Sequence, residues 1–119
     1  MTAVVVTVPP EGSLEGAIRQ MVEHDIGCVV VAEGDRPVGI LTERDVTRRL
    51  LEDPGLLSRS VGEVMSPAVT VEPTMAVEDA FERMLARGVR RLVVTSGERL
   101  VGIVTERDLI RWVRAVVEG

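Results

Sequence analysis

The sequence of 119 residues has almost no aromatic side chains and no lysine. Phe81 and Trp112 are its only aromatic residues, so the core formed by its 45% hydrophobic residues must be aliphatic. All 14 basic residues are arginines, dispersed along a chain whose net charge is −5. Binding to the phosphate backbone of a nucleic acid needs clustered positive charge, which dispersed arginines in an acidic chain do not provide. We therefore expect no nucleic-acid partner.

Metal-ligand clusters and membrane-spanning runs are also lacking. Cys28 is the single cysteine and His24 the single histidine, which excludes an internal disulfide. No cluster of N, S or carboxylate ligands has the spacing of a metal site, so we expect no metal. The opening MTAVVVTVPPEG is not typical of a signal peptide, and no apolar run nears the roughly 20 residues that cross a bilayer. We therefore expect a cytoplasmic protein with no membrane partner.

What the sequence does contain is an internal repeat. The octamers VGILTERD and VGIVTERD, which end at Asp45 and Asp108, differ only at Leu41 and Val104. The same offset of 63 positions aligns the chain from residue 6 to residue 50 on its second half without a gap. The chain is therefore a duplication.

Each copy has the pattern of a β-α-β-β-α unit. Apolar residues at helical spacing predict a first helix, with Ser13 as N-cap and Gly27 after its end in the first copy, and Gly88 as its stop in the second. Two β-branched runs around a glycine turn then predict a hairpin, and a second helix starts at Thr42 or Thr105. The predicted fold class is α/β (α+β), with a leading strand at 4–8 or 68–71.

The turn-forming and helix-breaking residues within 53–60 indicate a boundary between the repeats, which we predict at 1–58 and 59–119. Neither small sheet can bury both of its faces alone, so we expect the repeats to pack together about a pseudo-two-fold axis. The last helix has apolar residues on more than one face: Leu109, Ile110, Trp112, Val113, Val116 and Val117. A second apolar face predicts a homodimer, and the alternative is a helix sunk in its own core.

The repeated Thr-x-x-Asp has two interpretations. At a strand-to-helix junction, Thr42 and Asp45 are close to a capping box, and acidic residues suit the positive end of the helix dipole. An aspartate at a helix start is also a fixed pair of acceptors, which suits a vicinal diol that donates two O–H bonds. The threonine hydroxyl and the first amides can then face the next group of a ligand, including phosphate. Both copies keep Thr, Asp and the residues around them, which capping alone does not require.

These signatures resemble a tandem pair of CBS domains, called a Bateman module, over essentially the whole chain. They are Gly-x-x-Thr-x-x-Asp at 39–45 and 102–108, VMSPAVTV at 64–71 and RRLVV at 90–94. The resemblance implies a stand-alone regulatory module that senses AMP, ADP, ATP or S-adenosylmethionine in clefts between the repeats. The alternative function is a structural or protein-interaction module with no nucleotide ligand.

The resemblance also implies the ligand contacts. Asp45 and Asp108 would hold ribose hydroxyls, and Thr42 and Thr105 would reach the ribose or phosphate. The remaining predicted contacts are Ile40 and Ile103 against the base, with Gly27, Cys28, Ser66, Ala68, Arg90 and Arg91.

The two clefts are not expected to be equivalent. In similar modules, the aspartate of one repeat shares its cleft with the short strand of the other, so Asp45 would face Arg90 and Arg91. Guanidinium groups suit phosphate oxygens, and the Asp45 cleft is therefore predicted to bind phosphorylated adenosine more tightly than the Asp108 cleft. The alternative for both arginines is solvation or pairing with surface acids. Nothing before residue 4 matches the segment at 64–67, so we expect the wall of the Asp108 cleft to be thinner.

Catalysis is not expected. The sequence has no recognisable nucleophile–base pair, metal cluster or phosphate loop with a Gly-Lys-Ser/Thr ending. Cys28 and His24 are read as a core thiol and a solvated imidazole. A regulatory signal would then pass to a dimer mate or to a separate effector protein.

Overall fold

The computed structural model describes residues 5–118, which divide into two compact units at 5–68 and 69–118. The chain has mixed α/β structure with two three-stranded sheets, as predicted. The units divide after Ala68 because a helix at Val61–Val64 packs into the core of the first unit. The repeat boundary between residues 58 and 59 stays a prediction, as does the packing about a pseudo-two-fold axis.

The first unit has the predicted β-α-β-β-α order and then two short helices. Its elements are β1 (Thr7–Val8), α1 (Leu14–His24), β2 (Cys28–Glu33), β3 (Arg36–Thr42), α2 (Glu43–Leu50), a 3₁₀ helix (Leu56–Ser58) and α3 (Val61–Val64). In its sheet, β1 is parallel to β2, and β2 is antiparallel to β3. The glycine turn between β2 and β3 brings residue 28 directly opposite Thr42.

The second unit repeats this arrangement. Its elements are β4 (Thr70–Val71), α4 (Val77–Arg87), β5 (Arg91–Ser96), β6 (Arg99–Thr105) and α5 (Glu106–Glu118). Every residue pair of the β5–β6 ladder matches a pair of the β2–β3 ladder at the offset of 63 positions. Arg91 therefore lies opposite Thr105, as Cys28 lies opposite Thr42.

The helix ends follow the predicted capping residues. Ser13 caps α1, and its hydroxyl oxygen accepts the N–H of Gly16 at 3.0 Å. Gly88 ends α4 in the left-handed conformation, with φ of 63°. Gly27 follows the end of α1 as predicted, and the left-handed position at that end belongs to Asp25, with φ of 50°. Aspartate tolerates this region better than most residues, since its short polar side chain can bond locally.

Each unit has its own aliphatic core. In the first unit, buried residues of α1, β2, β3 and α2 pack with Leu56, Val61 and Val64 from the segment after α2. The core of the second unit has no counterpart of that segment among residues 69–118. Full burial of one Val or Leu side chain is worth about 1.5–3 kcal/mol, so the extra segment belongs to the fold of the first unit.

Helix α5 buries one side of its surface and exposes the other. Leu109 is buried in the core of the second unit. The other apolar residues of the helix are exposed, from 39% to 79%: Val113, Trp112, Ile110, Val116 and Val117. The alternative in which this helix is sunk in its own core is therefore wrong. No helix within residues 5–118 is both long enough and apolar enough to cross a membrane.

Candidate functional site

Thr42 and Asp45 form a complete capping box where β3 enters α2. The hydroxyl oxygen of Thr42 accepts the backbone N–H of Asp45 at 3.2 Å. In return, Asp45 Oδ2 accepts the backbone N–H of Thr42 at 2.9 Å. The capping interpretation is thus confirmed for the first repeat, and it fixes the carboxylate at the helix start.

Thr105 and Asp108 repeat this geometry where β6 enters α5. Thr105 accepts the backbone N–H of Asp108 at 3.1 Å, and Asp108 Oδ2 accepts that of Thr105 at 2.9 Å. Asp45 and Asp108 are both partly buried. The strand end and the helix start that hold Asp108 match those that hold Asp45. Capping therefore explains one oxygen of each carboxylate and leaves the other oxygen for further partners.

The first aspartate has two additional hydroxyl donors. Ser66 Oγ donates to Asp45 Oδ1 at 3.1 Å, and Thr42 Oγ1 donates to Asp45 Oδ2 at 3.0 Å. The backbone of Ser66 is fixed beside β3, because it exchanges two hydrogen bonds of 2.9 Å with Ile40. The segment after α3 therefore closes over the start of α2 within the first unit.

Gly39 makes this close approach possible. A Cβ atom at Gly39 would lie 2.9 Å from the carbonyl oxygen of Ser66 and would collide with the sulfur of Met65. Real Cβ atoms essentially never approach other heavy atoms so closely. The glycine of the repeated motif is thus required in the first unit by the segment that carries Ser66.

The predicted base-contacting residues lie away from the aliphatic cores. Ile40 is 9% exposed and Ile103 is 7% exposed, yet neither belongs to the core cluster of its unit. Each isoleucine is directly opposite a valine of the neighbouring strand, Val30 or Val93. The paired side chains share the face of the sheet that points away from the core of their unit. Their role against a base stays a prediction, and so does that of half-buried Ala68.

Arg90 and Arg91 lie at the start of β5, and Gly27 and Cys28 hold the matching positions before β2 and in it. The carbonyl oxygens of Gly27 and Arg90 accept the first backbone N–H of α2 and α5, each at 2.9 Å. Arg90 is exposed and Arg91 is half-buried. Among the described residues, neither guanidinium forms an ion pair within 4.0 Å. The predicted position of both arginines opposite Asp45 involves both units and stays a prediction.

Sequence reasoning missed the bond between Ser66 and Asp45. The resemblance placed Ser66 among the ligand contacts, and nothing in the local pattern indicated that its hydroxyl would reach a carboxylate 21 residues earlier. One signal was present, because the segment at 64–67 has no match before residue 4. Within residues 5–118, no group of three or more His, Cys, Asp or Glu could hold a metal ion.

Comparison with known families gives two matches to the CBS domain, at residues 1–52 and 61–115. The CBS domain-containing protein YhcV of Bacillus subtilis is 36% identical over 110 residues, which cover 92% of this chain and 79% of that protein. An uncharacterised protein of Methanopyrus kandleri is 38% identical over 114 residues, and the match spans 91% of this chain but only 57% of that protein.

Solved structures show the same fold. A protein with CBS domains from Burkholderia ambifaria is 31% identical, with a TM-score of 0.86, and the match covers 96% of this chain and 85% of that one. The CBSX2 protein in complex with AMP is 25% identical, with a TM-score of 0.80, covering 94% of this chain and 89% of that one. A CBS domain protein of Pyrobaculum aerophilum complexed with AMP has a TM-score of 0.81 at 24% identity, covering 91% of this chain and 85% of that one.

Proposed function

This chain belongs to the CBS-domain family, and on that premise we propose that it is a regulatory module that binds an adenosine nucleotide. The observation that carries the proposal is the duplicated Thr-x-x-Asp, which presents a partly buried carboxylate at a helix start in each unit. Two structural neighbours that contain AMP support an adenosine ligand. The role is binding without catalysis.

The chemistry of the site suits a ribose. A vicinal diol donates two O–H bonds, and an ionised aspartate accepts without donating. Hydrogen bonds to a charged group are worth about 1.5–3 kcal/mol each, which is enough to select a diol over an apolar group. The capping box holds each carboxylate in one orientation, so little conformational entropy is lost when a ligand binds.

We further propose the ligand contacts that the sequence predicts. The ligand is AMP, ADP, ATP or S-adenosylmethionine, bound in clefts between the repeats. Arg90 and Arg91 contact the phosphate of the nucleotide held by Asp45, so that this nucleotide binds more tightly than one held by Asp108. Because the two arginines form no ion pair with another described residue, their guanidinium groups do not have to leave an acidic partner first.

A nucleotide regulates only if two states of the protein bind it with different affinity. The exposed apolar face of α5 suggests that a second copy of the chain receives the change, and we propose a homodimer through this face.

Val116→Glu should then lower the mass of the particle measured by light scattering, and Arg111→Glu on the polar face of the same helix should not. The fluorescence of Trp112, which is 42% exposed in the single chain, should shift to longer wavelength in the Val116 variant. Equal masses for both variants would contradict the dimer through α5.

The test of the nucleotide is a thermal-shift screen of the purified chain against AMP, ADP, ATP, S-adenosylmethionine and NAD. A ligand at 100 times its dissociation constant adds about 2.7 kcal/mol to the free energy of unfolding. For a domain of this size, Tm should rise by several degrees. The rise should shrink in Asp45→Asn and in Asp108→Asn and vanish in the double variant. Asp79→Asn is the matched control, because Asp79 lies in the first turn of α4 without a threonine box.

The second candidate function is a structural or interaction module in which both motifs only cap helices. The completeness of the capping box at Asp45 favours this reading, since capping alone accounts for Thr42 and for Asp45 Oδ2. In that case Asp45→Asn would lower the free energy of unfolding by about 1 kcal/mol, as loss of a cap does, and would leave no binding to lose. A flat response to the whole panel would support it.

A further inference from the structure

The two aspartates differ in how many acceptor positions remain for a ligand. We propose that Ser66 restricts Asp45 to one ribose hydroxyl, whereas Asp108 accepts both, so the two sites differ in their selectivity for ribose over deoxyribose. This inference rests on the proposed adenosine binding. It makes Ser66 a positioning residue that sets the selectivity of one repeat.

The acceptor positions of Asp45 are nearly filled within the first unit. An ionised carboxylate offers about two acceptor positions on each oxygen. Oδ2 accepts the N–H of Thr42 at 2.9 Å and its O–H at 3.0 Å, and both positions are taken. Oδ1 accepts the O–H of Ser66 at 3.1 Å, which leaves one position. A diol that donates to both oxygens cannot be accommodated until a hydroxyl group rotates away.

Asp108 keeps more of its acceptor capacity. Its Oδ2 accepts the N–H of Thr105 at 2.9 Å, and the Thr105 hydroxyl makes no bond to it among residues 5–118. The residue that corresponds to Ser66 at the offset of 63 positions is Ala3, which lies outside the described residues and whose side chain has no hydroxyl. One position on Oδ2 and the positions on Oδ1 therefore face no donor from the described residues. A bidentate diol fits this carboxylate without a rearrangement.

The backbone around Ser66 makes the restriction persistent. Two hydrogen bonds of 2.9 Å hold Ser66 against Ile40, so the residue cannot move away without breaking its bridge to β3. Only rotation of its side chain can release Asp45 Oδ1. At Asp45 a ligand that lacks the second hydroxyl therefore loses nothing, since Thr42 fills both positions on Oδ2 and Ser66 fills one of the two on Oδ1. At Asp108 the same ligand leaves a charged acceptor without its donor, which is costly.

The experiment measures the affinity of AMP, 2′-deoxy-AMP and 3′-deoxy-AMP by titration calorimetry on the full chain. The Asp108→Asn chain reports on the Asp45 site, and the Asp45→Asn chain reports on the Asp108 site. In the Asp45→Asn chain, both deoxy analogues should bind about tenfold or more weakly than AMP, as expected for a lost bond to a charged group. In the Asp108→Asn chain, at most one analogue should bind that weakly.

The Ser66 variants then isolate the cause. Adding Ser66→Ala to the Asp108→Asn chain should make both analogues weak, whereas Ser66→Thr keeps a hydroxyl and should keep the original pattern. Ser58→Ala is the matched control, since that hydroxyl donates to the carbonyl of Gly55 and not to Asp45. Ser66→Cys, which has a weak donor of similar size, replaces Ser66→Ala if the latter does not fold.

The outcomes separate the inference from the function. An Asp108→Asn chain in which both analogues are weak, with or without Ser66, would overturn the inference and leave adenosine binding intact. AMP binding that is absent from only one of the two single-site chains would do the same. No binding of AMP, ADP, ATP or S-adenosylmethionine by the wild-type chain would overturn the proposed function, and the inference with it.

Discussion

The two units have the same ladder register and the same capping geometry, and they differ in the segments that are not repeated. After α2, the first unit adds the 3₁₀ helix and α3, which supply three buried core residues and carry Ser66 to Asp45. In the second unit, the helix that corresponds to α2 is α5, which continues to Glu118 and has an apolar face that is exposed. The difference shows that the duplicated sequence determines the backbone of the site, while the unrepeated sequence determines what else reaches its carboxylate.

The largest expected effect is on the free energy of unfolding, and it should differ between Leu41 and Val104, the two positions at which the repeated octamers differ. Leu41 is completely buried, whereas Val104 is half-buried beside its core. Leu41→Ala should lower the free energy of unfolding by about 2–5 kcal/mol, because it removes three buried carbons and leaves a cavity. Val104→Ala removes less buried surface and should cost about 1 kcal/mol. Urea unfolding followed by circular dichroism measures both, and equal losses would show that the two cores are packed alike.

The next effect concerns nucleotide affinity. Arg91→Ala should weaken AMP binding about tenfold, equal to about 1.4 kcal/mol, because it removes a guanidinium that suits phosphate. Cys28→Ala at the matching position should change the affinity little. Arg91→Lys keeps the charge but loses the planar fork, so an intermediate value is expected. Titration calorimetry measures all three, and equal effects of the two alanine variants would contradict the predicted asymmetry.

The Arg91→Ala variant also tests which aspartate holds the nucleotide that Arg91 contacts. Sequence reasoning predicts that the loss occurs in the chain that retains Asp45, after Asp108→Asn. Within its own unit, however, Arg91 lies directly opposite Thr105. A loss seen only after Asp45→Asn would therefore assign Arg91 to the nucleotide of its own repeat.

Local elements could be predicted from the sequence because each depends on a few neighbouring residues. Ser13, Gly88 and the Thr42 capping box act within a few residues of chain, so local spacing was sufficient to identify them. The left-handed residue at the end of α1 could not be predicted, because Asp25 adopts a conformation that glycine takes more often. The helical period then predicted the face of α5 correctly, since most of its apolar residues are exposed.

The contact that distinguishes the two aspartates could not be predicted in this way. Helix α3 has only four residues, too few for a periodic signal, and it is held by core packing of Val61 and Val64. The hydroxyl of Ser66 reaches Asp45 only because this helix returns the chain to β3. A resemblance that names ligand-binding positions does not say which of them bond to one another.

The smallest expected effect is a dependence on pH that only the first unit should show. The hydrogen bond from Arg59 Nε to Asp53, at 3.0 Å, holds the pKa of Asp53 below its ordinary value, aided by the N–H of Gly55 and opposed by desolvation. A carboxyl whose pKa is lowered by folding stabilises the fold above its unfolded pKa, and that stabilisation is lost as the pH falls through the folded pKa. Arg59→Ala should therefore lower stability slightly at neutral pH and by less in acid.

The effect should be small because the Arg59 and Asp53 side chains are 53% and 27% exposed, where solvent screens the pair. Residue 116, the counterpart of Asp53 at the offset of 63 positions, is a valine, so the second unit has no equivalent pair. Urea unfolding at about pH 7 and about pH 3 measures the difference between wild type and Arg59→Ala, with Arg36→Ala as an exposed ion-pair control. A difference that grows in acid would mean that Arg59 acts on stability through something other than the Asp53 carboxylate.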